Sequence, residues 1–158
     1  MGAMDDKPNN NTPPSPASLL LQNQFCFSLY ATTLAMQKVY RKVLGPLGLT
    51  YPQYLAMLVL WEGDGITVGD LSGRLLTDPG SVTPLLKRLE GIGLITRTRS
   101  SSDERVVELH VTEAGWALRK QAEAFPLCIV EASGQSVEEL IALKDQLVTL
   151  RSNFRNAL

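Results

Sequence analysis

Apolar residues recur at helical spacing along most of the chain, and breaks in that rhythm coincide with residues that start and stop helices. Thr50-Tyr51-Pro52-Gln53, Thr67-Val68-Gly69-Asp70 and Ser136-Val137-Glu138-Glu139 have the spacing of a capping box. In such a box two side chains take up N–H groups that the first turn leaves unpaired. Asp78-Pro79 joins a cap to proline at the first helical position, and Thr112-Glu113 is a fifth start. The spacing predicts helices near 18–44, ended by Gly45-Pro46, and near 51–62, ended by Gly63-Asp64-Gly65. Two short helices follow, near 68–76 and 79–91. In the second, Val82, Leu85, Leu86 and Leu89 form a buried stripe, leaving Ser81, Thr83, Pro84, Lys87, Arg88 and Gly91 facing out. Pro84 costs that helix one hydrogen bond unless it lies in the first turn.

The period then changes from helical to alternating. Residues 94–99 and 105–111 read as strands, with Val107, Leu109 and Val111 on one face and Val106, Glu108 and His110 on the other. Ser100-Ser101-Ser102-Asp103-Glu104 joins them as a polar hairpin tip. Two long helices near 112–133 and 136–156 complete the chain, with Pro126 kinking the first. The expected fold is mainly α with a small β-hairpin wing. Two short helices followed at once by a hairpin have the order of a winged helix-turn-helix, in which the second helix enters the major groove of double-stranded DNA.

Composition narrows the class without changing this reading. A chain of 158 residues, 44% hydrophobic and 20% charged, suits one globular domain with a sizeable core. Residues 1–17 are rich in Asp, Asn, Ser and Pro without periodicity and read as a flexible leader, with a tag scar at 1–3. The apolar runs are too short for a membrane span and no signal peptide is present, so the cytoplasm is the expected compartment. A net charge of −1 excludes a wholly basic nucleic-acid binder. Basic residues nevertheless concentrate between positions 74 and 105, where Arg74, Lys87, Arg88, Arg97, Arg99 and Arg105 face four acidic residues. Ser81, Thr83, Pro84, Lys87 and Arg88 on the second short helix, with Arg99 and Arg105 on the wing, are the expected DNA contacts. Hydroxyls and cations suit phosphates, and a guanidinium can make a bidentate contact with guanine. Asp103 is expected to aim Arg105 through an ion pair.

The remaining chemistry centres on Cys26. At about 100° per residue Tyr30 lies about 40° to one side of it and Tyr40 about 40° to the other, so the three share a helical stripe. Tyr40 lies roughly 21 Å further along the axis and cannot reach Cys26 within one chain. Two copies crossing antiparallel near Thr33 would bring them together, because a two-fold interface pairs residue i with j and j with i. An inert buried thiol is the competing reading, since free cysteine often behaves as a small hydrophobe. In a reducing compartment Cys26 and Cys128 are not expected to form a permanent staple, while a transient redox disulfide stays open. His110 is the only histidine and falls on the solvent face of a strand, so neither a metal site nor a cofactor is expected.

Leu76-Thr77-Asp78-Pro79-Gly80-Ser81-Val82-Thr83-Pro84-Leu85-Leu86-Lys87-Arg88-Leu89-Glu90, with Asp103-Glu104-Arg105 and Leu109-His110-Val111-Thr112-Glu113-Ala114-Gly115, resembles the MarR family of dimeric bacterial regulators. Asn23-Gln24-Phe25-Cys26-Phe27-Ser28-Leu29-Tyr30, with Tyr40 and Tyr51, resembles its organic hydroperoxide sensors, called OhrR. The resemblance implies a winged helix-turn-helix domain over 50–111 and a helical dimerisation region formed by 18–49 and 112–158. It implies a homodimeric repressor on pseudo-palindromic operator DNA, with organic hydroperoxide as the effector. Cys26 would be the reactive thiol, hydrogen-bonded by Tyr40 and Tyr51 of the other subunit. Tyr30 would line the pocket, and Phe25 and Phe27 would provide apolar walls. The late cysteine on the fifth helix implies the two-cysteine version, in which Cys128 of the other subunit resolves oxidised Cys26. The helix macrodipole is expected to contribute little, Cys26 lying beyond the first turn of a helix begun near residue 18. Two other readings remain: a MarR-type repressor sensing a phenolic or other small ligand in the dimer cleft, and a thiol peroxidase.

Overall fold

The computed structural model describes residues 13–158. Most of the expected leader, including the scar, lies outside the described residues. The chain divides into two compact units, residues 1–37 and 38–158.

In the first unit the chain makes two 3-10 turns, Ala17–Leu19 and Leu21–Asn23, before helix α1 begins at Phe25 and runs to Leu44. The continuous helix expected from residue 18 is therefore seven residues shorter. Side-chain amides account for the difference. Asn23 Nδ2 donates to the carbonyl of Ala17 at 2.7 Å, and Gln24 Nε2 donates to those of Ser18 and Leu20 at 2.7 and 3.1 Å. These bonds satisfy carbonyls locally and offer the backbone an alternative to a helical ladder. Gln24 is extended (φ −83°, ψ 112°), and its carbonyl accepts the Ser28 N–H at 3.2 Å to open α1. Cys26 is thus the second residue of α1 and sits in its first turn, not beyond it.

The second unit starts within α1, whose only buried residue is Leu44. Helix α2, Tyr51–Glu62, opens on the expected capping box. Thr50 Oγ1 accepts the Gln53 N–H, and Gln53 Oε1 accepts the Thr50 N–H at 3.0 Å. It is the central core helix, with Tyr54, Ala56, Met57, Val59, Leu60 and Trp61 all buried. Strand β1, Ile66–Thr67, leads into α3, Val68–Arg74, whose Thr67–Asp70 box closes in both directions. Helix α4, Pro79–Gly91, starts on Asp78 and buries Val82, Leu86 and Leu89 of the expected stripe, while Leu85, at its edge, is half-buried. It continues through Pro84, so the helix tolerates an interior proline on its exposed side at the cost of one backbone bond.

Strands β2, Ile95–Arg99, and β3, Val107–Val111, form the expected antiparallel hairpin with Ile95 opposite Val111 and Arg97 opposite Leu109. β1 adds to the other edge of β3 with Ile66 opposite Leu109, giving a three-stranded sheet in the order β1-β3-β2. The single long helix expected over 112–133 is two helices, α5, Glu113–Ala122, and α6, Phe125–Ser133. Pro126 is the cause. It has no N–H for a ladder continuing from α5, but it sits without penalty in the first turn of a new helix. Helix α7, Val137–Asn156, closes the fold from a complete Ser136–Glu139 capping box and buries none of its residues.

Gly115 seats α5 against the sheet. A Cβ there would meet the Leu94 carbonyl oxygen at 2.3 Å, and the Gly115 carbonyl accepts the indole N–H of Trp61 at 3.0 Å. No single helix among the described residues is long and apolar enough to cross a membrane.

Candidate functional site

The exposed face of α4 carries every residue expected there: Ser81, Thr83, Pro84, Lys87 and Arg88. Asp78 fixes the start of the helix. Its carboxylate accepts the Ser81 N–H at 3.0 Å and the Ser81 hydroxyl at 2.9 Å, and these two bonds hold its pKa below the usual carboxylate range. Thr83 Oγ1 donates to the Pro79 carbonyl at 3.0 Å. Among the described residues neither Lys87 nor Arg88 pairs with a carboxylate. Arg74 is engaged by Glu62, and Arg97 by Glu90 at 2.7 Å. The local cationic excess is therefore concentrated on α4 and the wing.

The wing is braced from within. Arg99 Nη1 donates to the Glu104 carbonyl at 3.1 Å, and the Ser100 N–H donates to the Val106 carbonyl at 2.8 Å. Asp103 does not aim Arg105 by an ion pair. Its Oδ1 accepts the Arg105 backbone N–H at 3.0 Å, a bond two residues long that tightens the turn and leaves the guanidinium unpaired among the described residues.

In the first unit Cys26 is exposed in the opening turn of α1, and Phe25, Phe27 and Tyr30 beside it are exposed as well. In the second unit Tyr40, near the end of α1, stacks at a tilt on Tyr51 of α2, ring centres 4.5 Å apart. Tyr54, one turn further along α2, lies 5.7 Å from Tyr40 and 6.4 Å from Tyr51. Burial, then the neighbouring Tyr51 and Tyr54, pushes Tyr40 up to about 12. Burial also raises Tyr51, and burial with Tyr51 raises Tyr54. Tyr54 meets Phe125, the first residue of α6, edge to face at 5.7 Å. Cys128 is half-buried one turn beyond Phe125 and is a free thiol.

Residues 49–107 match the MarR family. Over 130 residues the chain is 48% identical to the organic hydroperoxide resistance transcriptional regulator of Bacillus subtilis (strain 168), covering 82% of this chain and 88% of that protein. The chain belongs to the MarR family. Among solved structures it is similar to reduced AbfR bound to DNA, AbfR being a protein of Staphylococcus epidermidis. That likeness has a TM-score of 0.72 at 32% identity, over 85% of this chain and 94% of the other. Disulfide-formed AbfR is also similar, with a TM-score of 0.59 at 33% identity over 86% and 90% of the two chains.

Sequence reasoning did not place Tyr54 or Phe125 in this MarR chain's aromatic cluster. The available signal for Tyr54 was its spacing of three from Tyr51, which puts both on one face of α2. Phe125 gave none, because its contact is tertiary. His110 lies 3.8 Å from Asp64 Oδ2 and 3.7 Å from Glu108 Oε2 at the sheet. Among the described residues no three His, Cys, Asp or Glu side chains are arranged to hold a metal ion.

Proposed function

We propose that the protein is a cytoplasmic redox-sensing repressor that binds pseudo-palindromic operator DNA as a reduced homodimer and leaves it when organic hydroperoxide oxidises Cys26. The observation that carries this reading is the exposed Cys26 in the first turn of α1, flanked by exposed Phe25, Phe27 and Tyr30. The similarity to a hydroperoxide resistance regulator supports it. A thiolate is the form of cysteine that attacks a peroxide. The sulfur bonds to the terminal peroxide oxygen, the O–O bond breaks, and the organic fragment leaves as an alcohol once protonated. Apolar walls from Phe25 and Phe27 favour an organic peroxide. Tyr40 and Tyr51 of the partner subunit donate to the sulfur, and their raised pKa values keep both phenols protonated throughout the physiological range.

Apolar surface that a single chain leaves uncovered supports the dimer. Helix α7 buries no residue while exposing Val137, Ile141, Leu143 and Phe154. A 20-residue helix of this kind needs a second apolar surface. Residues 18–49 and 112–158 thus form the dimerisation region and 50–111 the DNA-binding domain. Helix α4 enters the major groove, where Ser81, Thr83, Pro84, Lys87 and Arg88 meet DNA, while Arg99 and Arg105 reach the backbone or minor groove from the wing held by Asp103.

Oxidised Cys26 is a sulfenic acid. The Cys128 thiol of the partner attacks its sulfur, releasing water and closing an intersubunit disulfide. Similarity to disulfide-formed AbfR supports this step. A disulfide needs Cα atoms roughly 4.4 to 6.8 Å apart, and a closure that moves α1 or α6 shifts the paired recognition helices from the spacing of about 34 Å that successive major grooves require. Fluorescence anisotropy on duplex from the region upstream of the protein's own gene tests the reading. Tight binding by reduced protein and release after one equivalent of cumene hydroperoxide are expected, with Cys26→Ser remaining bound. An oxidised sample with full affinity would sink the proposal. Release of Cys26→Ser by a phenolic compound would identify a ligand sensor, and sustained peroxide turnover with a thiol reductant would identify a peroxidase.

A further inference from the structure

We propose that the edge contact between Tyr54 and Phe125 holds the Cys128 helix in register with the Tyr40–Tyr51 pair, making Tyr54 and Phe125 positioning residues for disulfide closure. The inference rests on the two-cysteine chemistry proposed above. Helix α6 is joined to α5 through Glu123 and Ala124, both with right-handed helical backbone angles. Its only buried residue is Phe125, at its first position. That ring packs on Tyr54, which is 3% exposed and touches both tyrosines of the thiol site. Cys128 follows Phe125 by three residues, less than one turn and about 4.5 Å along the axis. The position of the resolving sulfur is therefore set through one aromatic contact that also reports where Tyr40 and Tyr51 are. The far end of α6 is closed by Gly134, whose left-handed backbone (φ 67°) donates its N–H to the Glu131 carbonyl at 3.3 Å.

Positioning matters because two reactions compete for the same intermediate. In one, the Cys128 thiolate bonds to the sulfenic sulfur of the partner's Cys26 and hydroxide departs, taking a proton to become water. In the other, a second organic hydroperoxide transfers an oxygen to that sulfur and leaves as alcohol, giving a sulfinic acid. An anchored Cys128 shortens the life of the sulfenic acid and suppresses the second path.

The test follows both steps after mixing reduced homodimer with one equivalent of cumene hydroperoxide. A dimedone-type trap reports sulfenic acid, and quenched non-reducing electrophoresis reports the disulfide. Phe125→Ala and Tyr54→Leu are expected to slow closure by about tenfold or more, since small misplacements of reacting groups carry penalties of that order. In Phe125→Ala, which leaves Tyr40, Tyr51 and Tyr54 unaltered, sulfenic acid formation is expected to keep its rate, and excess peroxide is expected to drive both variants to sulfinic acid. Tyr54→Phe retains the ring that meets Phe125 and is expected to close as the parent does. If Phe125→Ala does not fold, Phe125→Leu carries the test: slow closure supports the proposal and closure at the parent rate overturns it. A parent protein that forms no Cys26–Cys128 bond sinks the two-cysteine reading and this inference together. A parent that closes normally, alongside variants that close equally fast, sinks the positioning role alone.

Discussion

Tyr40 is the side chain whose acid–base chemistry the fold alters most. Its pKa stands near 12 because burial, and then Tyr51 and Tyr54, oppose a phenolate. In the unfolded chain the same group ionises near the ordinary value of about 10. The folded state therefore holds this proton more tightly. Its contribution to stability is complete below about pH 10 and is lost as pH rises toward 12. A tyrosinate absorbance titration should show late-ionising phenols, and Tyr40→Phe should remove the latest step and blunt the alkaline loss of stability. An unchanged titration curve in Tyr40→Phe would contradict the assignment. The stripe that joins Cys26, Tyr30 and Tyr40 was legible from helical arithmetic alone. The position of Cys26 within its helix was not, because it depends on the Asn23 and Gln24 amides bonding backwards to carbonyls, and helical periodicity does not register such bonds. The partner of Asp103 is not legible in the sequence for a similar reason, since a backbone N–H two residues away competes successfully with a flexible guanidinium.

At the scale of elements, the helices that start on Thr50, Asp78 and Ser136 appear where the caps put them, because side-chain capping is local and the sequence displays it directly. Thr50→Ala should cost about 1 kcal/mol in chemical denaturation, the usual worth of such a cap. The carboxyls of Asp70 and Asp78 lie below their ordinary range through hydrogen bonds from Thr67 and Ser81. The support those bonds give is present above the ordinary carboxylate value and lost as pH falls through the depressed one. Strand β1 was not legible, since two residues cannot display an alternating pattern and the element exists only by pairing with β3. The break between α5 and α6 is visible in the sequence at Pro126 as a kink, and in the structure becomes a two-residue turn at Glu123 and Ala124 because proline suits a first turn better than an interior. Gly115 controls how α5 meets the sheet. Gly115→Ala forces a Cβ into the Leu94 carbonyl, a backbone atom with little room to retreat, and should destabilise by about 1–3 kcal/mol in urea unfolding. An alanine variant as stable as the parent would show that α5 docks less tightly than the structure indicates.

At the scale of the whole molecule, apolar surface on α7 and around Cys26 argues that the working unit contains two chains. Ile141→Glu changes a side chain that is 51% exposed within one chain, and should yield folded monomer by sedimentation with weakened DNA binding. A stable Ile141→Glu dimer would place the interface elsewhere. The family's winged helix was legible in the order of elements and in the cations of α4 and the wing, whereas the pairing of chains lies in surfaces that one sequence displays only as unpartnered apolar residues. In the proposed switch, Cys26 oxidation becomes a covalent link between subunits. Non-reducing electrophoresis of reduced protein treated with one equivalent of an organic hydroperoxide tests it most directly. A dimer band that disappears with dithiothreitol, and is absent from both Cys26→Ser and Cys128→Ser, is expected. A parent protein that stays monomeric on that gel, or a dimer band that survives Cys128→Ser, would contradict it.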